Sequence, residues 1–82
     1  MNEMKVEFTP ELKAKLQPGN KIKVHYGPGN PNNELRHILA IVDDEYVVYK
    51  VWSRNKKRYR YSVEWFYDFL LLEFNNNMKV IK

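Results

Sequence analysis

One stretch decides how this chain folds: YVVYKVWSRNKKRYRY, residues 46–61. Its two outer parts are rich in tyrosine, tryptophan and valine, which favour strands. They predict a third strand at Tyr46–Ser53, a hairpin tip at Arg54–Lys57 and a fourth strand from Arg58 to about Tyr61. The stretch also carries six positive charges, five aromatic rings and no acidic residue. It is therefore the first candidate for both structure and function.

The register of this hairpin determines which side chains share a face, and two registers fit the sequence. In the first, Ser53 pairs with Arg58, and one face resembles a core wall of Tyr46, Val48, Trp52, Tyr59 and Tyr61. In the second, Ser53 pairs with Lys57. The core face is then Val47, Tyr49, Val51, Tyr59 and Tyr61, and the outer face displays Tyr46, Lys50, Trp52, Arg58 and Arg60. A slip of one residue exchanges the two faces.

Upstream of the hairpin the sequence predicts a short helix and two further strands. Thr9 can cap a helix that Pro10 begins and Pro18-Gly19 ends. Lys21–Tyr26 alternates between apolar and polar residues, as in a half-buried strand. After a loop at Gly27–Asn33, either a linker or a binding loop, residues 35–42 form a second strand. This strand is almost wholly apolar from Ile38 onward, and we expect it to be buried on both faces.

Downstream, an aromatic segment predicts a C-terminal helix. Ser62 can cap a helix from Val63 to about Phe74, which Asn75–Asn77 ends. Because this helix would be unusually apolar, a strand over part of the segment is the alternative. Met78–Lys82 can then add a last edge strand.

Together these elements predict a single mainly β (α+β) domain over residues 1–82. We expect a small SH3-like antiparallel barrel or a curved sheet of four to five strands, with a short N-terminal helix and a C-terminal aromatic helix. The segment PGNKIKV, residues 18–24, resembles the opening turn and strand of SH3-like barrels. The resemblance covers seven residues, implies a fold and transfers no functional residue. The alternative is a three-stranded sheet backed by a helix, as in DNA-binding domains that lay strands in the major groove.

Composition excludes several classes of function. The net charge of +4 favours anionic partners. The positive charge is concentrated in residues 46–61, whereas every charged residue of 62–74 is acidic. Without cysteine there is no disulfide or thiolate site. No serine, histidine or carboxylate pattern predicts an enzyme, a metal site, a cofactor or a small-molecule substrate. There is no signal peptide or membrane-spanning run, so we expect a cytoplasmic protein.

Two hypotheses of function remain. In the first, the hairpin binds nucleic acid, since rings stack on bases and cations meet phosphates. The candidate residues are Lys50, Trp52, Arg54, Lys56, Lys57, Arg58 and Arg60.

In the second hypothesis the protein is a protein-binding inhibitor or adaptor of the kind that phages and mobile elements encode. It acts through the C-terminal aromatic segment, with Trp65 and Leu71 as candidate interface residues, or through the basic hairpin on an acidic protein surface. A second copy of the chain, forming a homo-dimer, is a further candidate partner.

Overall fold

The computed structural model describes residues 7–25 and 33–81. Five antiparallel strands form one sheet in the order β4-β3-β2-β1-β5, and two short helices pack on one of its faces. In chain order the elements are α1 (Pro10–Lys15), β1 (Lys21–Val24), β2 (Glu34–Val42), β3 (Tyr46–Ser53), β4 (Arg58–Trp65), α2 (Phe66–Phe74) and β5 (Met78–Ile81).

The mainly β architecture is confirmed, but the sheet is open. Strands β4 and β5 lie at its two edges and do not pair with each other, so the SH3-like barrel is not confirmed. Helix α2 follows β4 directly and leads to β5, which pairs with β1 in register, Lys21 opposite Ile81. The chain therefore crosses between the two edges through a helix instead of closing the sheet on itself.

Helix α1 follows its sequence signals. The side chain of Thr9 accepts a hydrogen bond of 3.2 Å from the backbone N–H of Leu12, and Pro10 is the first helical residue. Gly19 has φ +93°, a conformation that glycine adopts without strain. Leu12 and Leu16 are fully buried and anchor the helix to the sheet.

The core lies between the helices and one face of the sheet. Strand β3 contributes alternate residues, Val47, Tyr49 and Val51, whereas the residues between them point away from the helices. The remaining core residues come from both helices and the neighbouring strands: Phe8, Leu12, Leu16, Ile22, Val24, Ile38, Phe66 and Phe69. Every strand thus buries one side only.

Three predictions about the strands and the loop between them have different outcomes. The expectation that β2 is buried on both faces is wrong, because Leu35, Leu39 and Val42 are exposed and neither helix covers their side. The predicted strand end at Tyr26 and all of the loop except Asn33 lie outside the described residues. The last edge strand is confirmed as Met78–Ile81.

The C-terminal helix begins at Phe66, three residues later than predicted. Ser62 does not cap it but lies in β4 opposite Tyr49, and β4 continues to Trp65, which lies opposite Tyr46. Trp65 is the residue before the helix and makes no side-chain capping bond. An unbroken backbone ladder with β3 outweighs the single hydrogen bond that a serine cap would supply. No helix of the described residues is long and apolar enough to cross a membrane.

Candidate functional site: an open sheet face

The hairpin adopts the first of the two predicted registers. Ser53 lies opposite Arg58, and Trp52 opposite Tyr59. The face carrying Trp52 is nevertheless not a core wall, since Trp52 is 49% exposed and the helices pack on the other side. The sequence left the register open, and the structure shows the first pairing with its Trp52 face exposed and not forming a core wall.

We call the uncovered side of the sheet the open face. Its members follow from strand alternation and from the register of the paired strands. They contain no acidic residue among the strand positions that the structure describes. They are Lys21, Lys23, Leu35, His37, Ala40, Val42, Tyr46, Val48, Lys50, Trp52, Tyr59, Tyr61, Val63, Trp65, Lys79 and Ile81.

An aromatic cluster on β3 and the edge strand β4 occupies one flank of this face. The rings of Trp52 and Tyr59 meet edge to face, with centroids 5.1 Å apart and planes at 75°. The ammonium of Lys50 lies 4.2 Å from the centroid of the Tyr59 ring, and His37 approaches the same ring edge-on at 5.6 Å. Tyr59 therefore holds its neighbours in place, whereas Trp52 and the 67% exposed Tyr61 offer their own surfaces to a ligand.

Lysines occupy the opposite flank of the open face. Lys21 and Lys23 are exposed on β1, and Lys23 lies opposite Lys79 of the edge strand β5. Partial desolvation, together with the charges of Lys21 and Lys50, lowers the pKa of His37 below its usual value. His37 is thus neutral at pH 7, and the charge of the face comes from its four lysines.

The structure divides the seven hairpin residues predicted to bind between different surfaces. Lys50 and Trp52 lie on the open face, and the tip cations Arg54, Lys56 and Lys57 are exposed at its end. Arg58 and Arg60 alternate onto the helix-covered side, where Arg60 contacts the carboxylate of Glu34 at 3.0 Å. The platform of Trp52 beside Arg58 and Arg60, which the second register predicted, is not assembled.

Trp65 and Leu71 do not share one surface. Trp65 lies at the end of the open face, close to the rings of Phe66 and Tyr67. Leu71 lies on α2, where it lines a shallow cleft on the helix-covered side of the sheet. Both are 41% exposed, so each is accessible, but they cannot belong to a single small interface.

A buried ion cluster, which the sequence did not reveal, lies under the helices. Arg36 is only 5% exposed and pairs with Glu34 at 3.0 Å and Glu64 at 3.2 Å. Its guanidinium lies 4.6 Å from the Tyr49 ring centroid and 5.2 Å from that of Phe69. An arginine in an alternating strand usually indicates a solvated position, so only the tertiary structure identifies this one.

The groups of this cluster reinforce each other electrostatically. Burial lowers the pKa of Arg36, but the neighbouring Tyr49, Glu64 and Glu34 raise it by more, so the guanidinium stays charged. Burial, and then the 2.6 Å hydrogen bond that its hydroxyl donates to Glu64, raises the pKa of Tyr49 to about 12. The cluster is fully paired and serves to hold β2, β3 and β4 together.

The two ends of β3 carry opposite charges. Asp43, Asp44 and Glu45 form the turn before the strand, and Lys13 contacts the carboxylate of Asp44 at 2.6 Å. The basic tip, with Arg54, Lys56 and Lys57, follows the strand. Charge on this molecule therefore varies along the strand direction as well as between faces.

The candidate residues predicted from the sequence did not include the three lysines of β1 and β5, which are Lys21, Lys23 and Lys79. Alternation did place Lys21 and Lys23 on the polar side of their strand. Strand order, however, is a long-range property, and it brings these lysines and Lys79 to the same face as Trp52 and Tyr61.

The described residues hold no group of three histidine or carboxylate side chains that could bind a metal ion. Comparison of the chain with protein families, with curated proteins and with solved structures found no match.

Proposed function

We propose that this protein binds nucleic acid through the open face of its sheet. One observation carries the proposal: exposed rings and four lysines share a face on which the described strands place no carboxylate. Aromatic rings stack on bases of any sequence, and lysines neutralise phosphates. The tip cations Arg54, Lys56 and Lys57 extend the same positive surface.

The exposed rings favour nucleic acid over an acidic protein surface as the partner. Lysines alone would suit either anion, because both present closely spaced negative charges. Trp52 and Tyr61 add flat surfaces that match the faces of bases, and each such contact contributes about 1–3 kcal/mol. Binding is expected to be tolerant of sequence, because every base has a face on which a ring can stack.

The contribution of lysine charges to binding is tested by replacing one pair of lysines on the open face, and a second pair on helix α1 serves as the control. We expect Lys21→Ser combined with Lys23→Ser to weaken binding of a labelled oligonucleotide and to reduce the steepness of the log–log salt dependence by about 1.4. Fluorescence anisotropy at about 50 and 200 mM salt measures both effects.

The matched control is Lys13→Ser with Lys15→Ser, which removes the same net charge from helix α1. Those two lysines contact Asp44 and Glu73 on the opposite side of the molecule. An equal loss of affinity in both double variants would mean that only net charge matters. Absence of any binding by the natural chain at low salt would reject the proposed function.

A second candidate function is protein binding through an apolar patch of the open face, at the end next to the acidic turn. There Val42, Tyr46 and Trp65 lie side by side on three strands, and Val63 is exposed next to them. Exposed apolar patches of this kind mark interfaces between proteins. The four side chains of the patch are uncharged, so a second copy of the chain can cover them while the carboxylates of residues 43–45 stay at the rim.

The corresponding prediction is a concentration-dependent dimer. We expect light scattering to give twice the monomer mass at high concentration, and Val63→Lys to return the mass to that of a monomer. Phe74→Lys, at an 82% exposed position on α2, is the matched control and leaves the dimer intact. A monomeric mass for the natural chain at every concentration contradicts this candidate.

A further inference from the structure

We infer that the ligand of the open face is a single strand, with its phosphates over β1 and β5 and its bases over β3 and β4. This inference rests on the proposed function and specifies the class of nucleic acid. It follows from three features: the positions of the lysines relative to the rings, the distance between Trp52 and Tyr61, and the contacts that fix the Trp52 ring.

Three of the four lysines of the open face are separated from its exposed rings across the sheet, and the fourth, Lys50, lies among the rings on β3. Lys21, Lys23 and Lys79 lie on β1 and β5, whereas Trp52 and Tyr61 lie on β3 and β4, with β2 between them. Neighbouring strands are about 4.8 Å apart, so β1 and β4 are separated by about 14 Å. A single strand whose bases all project to one side of its backbone fits this division. A duplex has phosphates on both sides of its paired bases.

The distance between the rings of Trp52 and Tyr61 also excludes that two bases remain stacked on each other while each contacts one of these rings. Lys50 lies opposite Tyr61 and Trp52 opposite Tyr59, so Trp52 and Tyr61 are diagonal neighbours. Diagonal neighbours are about 7–8 Å apart, roughly twice the 3.4 Å rise between bases stacked in one strand. Bases that contact both rings must therefore be unstacked from each other, which a single strand permits and a duplex resists.

The ring that would meet the ligand is held in place before binding. Trp52 contacts the edge of Tyr59, which Lys50 and His37 contact in turn. A fixed ring loses little conformational entropy when a base stacks on it. The lysines on the other flank, in contrast, have long flexible stems that can follow a backbone without a fixed geometry.

The test compares one labelled oligonucleotide of mixed sequence alone and annealed to its complement. We expect the single strand to bind about tenfold or more tightly than the duplex, in line with one stacked base. The variant Trp65→Phe leaves Trp52 as the only tryptophan of the chain. Its fluorescence should be quenched by the single strand and much less by the duplex. Inorganic polyphosphate should bind more weakly than the single strand and leave Trp52 fluorescence unchanged.

The outcomes separate this inference from the proposed function. Equal or tighter binding of the duplex overturns the inference and leaves nucleic-acid binding intact. Two results overturn the assignment of bases to β3 and β4. In one, the single strand binds without quenching the fluorescence of Trp52, and in the other, polyphosphate binds as tightly as the single strand. Absence of binding by either form overturns the proposed function itself.

Discussion

Replacing Arg36 with methionine should lower the free energy of unfolding by about 3–5 kcal/mol, the largest effect on stability that we expect from one side chain. The guanidinium is buried between two aromatic rings and neutralises Glu34 and Glu64. Without it, two partly buried carboxylates keep their desolvation cost and lose their main counter-charge. Urea unfolding followed by circular dichroism measures the change.

The matched control for this variant is Arg58→Met. Arg58 lies on the same side of the sheet but is exposed at the start of β4, so its removal should change stability by less than about 0.5 kcal/mol. Adding Glu64→Gln to Arg36→Met should recover part of the loss, because it removes the carboxylate that paired with Arg36, whereas Glu34 still contacts Arg60. An Arg36 variant as stable as the Arg58 variant would show that packing, and not pairing, holds this part of the sheet.

The largest effect on binding is expected for Trp52→Ala combined with Tyr61→Ala. If each ring stacks on one base, the pair contributes about 2–6 kcal/mol, which corresponds to a loss of affinity of about thirtyfold or more. Both side chains are largely exposed, so the fold should survive, as circular dichroism can verify. Anisotropy titration with the labelled single strand measures the loss.

Phe74→Ala provides the control for removal of an exposed ring. Phe74 is the most exposed of the large apolar side chains in the described residues and lies at the end of α2, away from the open face. It should bind the single strand as tightly as the natural chain. If the variant with Trp52→Ala and Tyr61→Ala also retained full affinity, stacking would be excluded as a source of binding. Only the lysines would then remain to explain it.

Local signals predicted most of the secondary structure. The cap at Thr9, the proline at Pro10 and the alternation of Lys21–Val24 act over a few residues, and the elements formed as expected. The start of α2 did not follow its local signal. Ser62 is a good capping residue, but the chain gains more from continuing to pair with β3, a partner that lies more than ten residues away along the sequence.

The open face, the candidate binding site, was harder to predict than the strands. Both sides of β3 carry mostly apolar or aromatic residues, so its pattern alone does not say which side the helices cover. That choice is made by Leu12, Leu16, Phe66 and Phe69, which come from distant parts of the chain. Alternation placed Lys50 and Trp52 on one side of β3. Only the second register, which the hairpin does not adopt, placed Arg58 and Arg60 beside them.

The opposite charges at the two ends of β3 have a consequence for how the protein meets any polyanion. Acids before the strand and the basic tip after it make the molecule an electric dipole about 26 Å long, the length of eight extended residues. In the field of a polyanion such a molecule rotates during diffusion, so that the tip leads and the carboxylates trail. First encounters would then occur at Arg54–Lys57, and salt should slow association more than it speeds release.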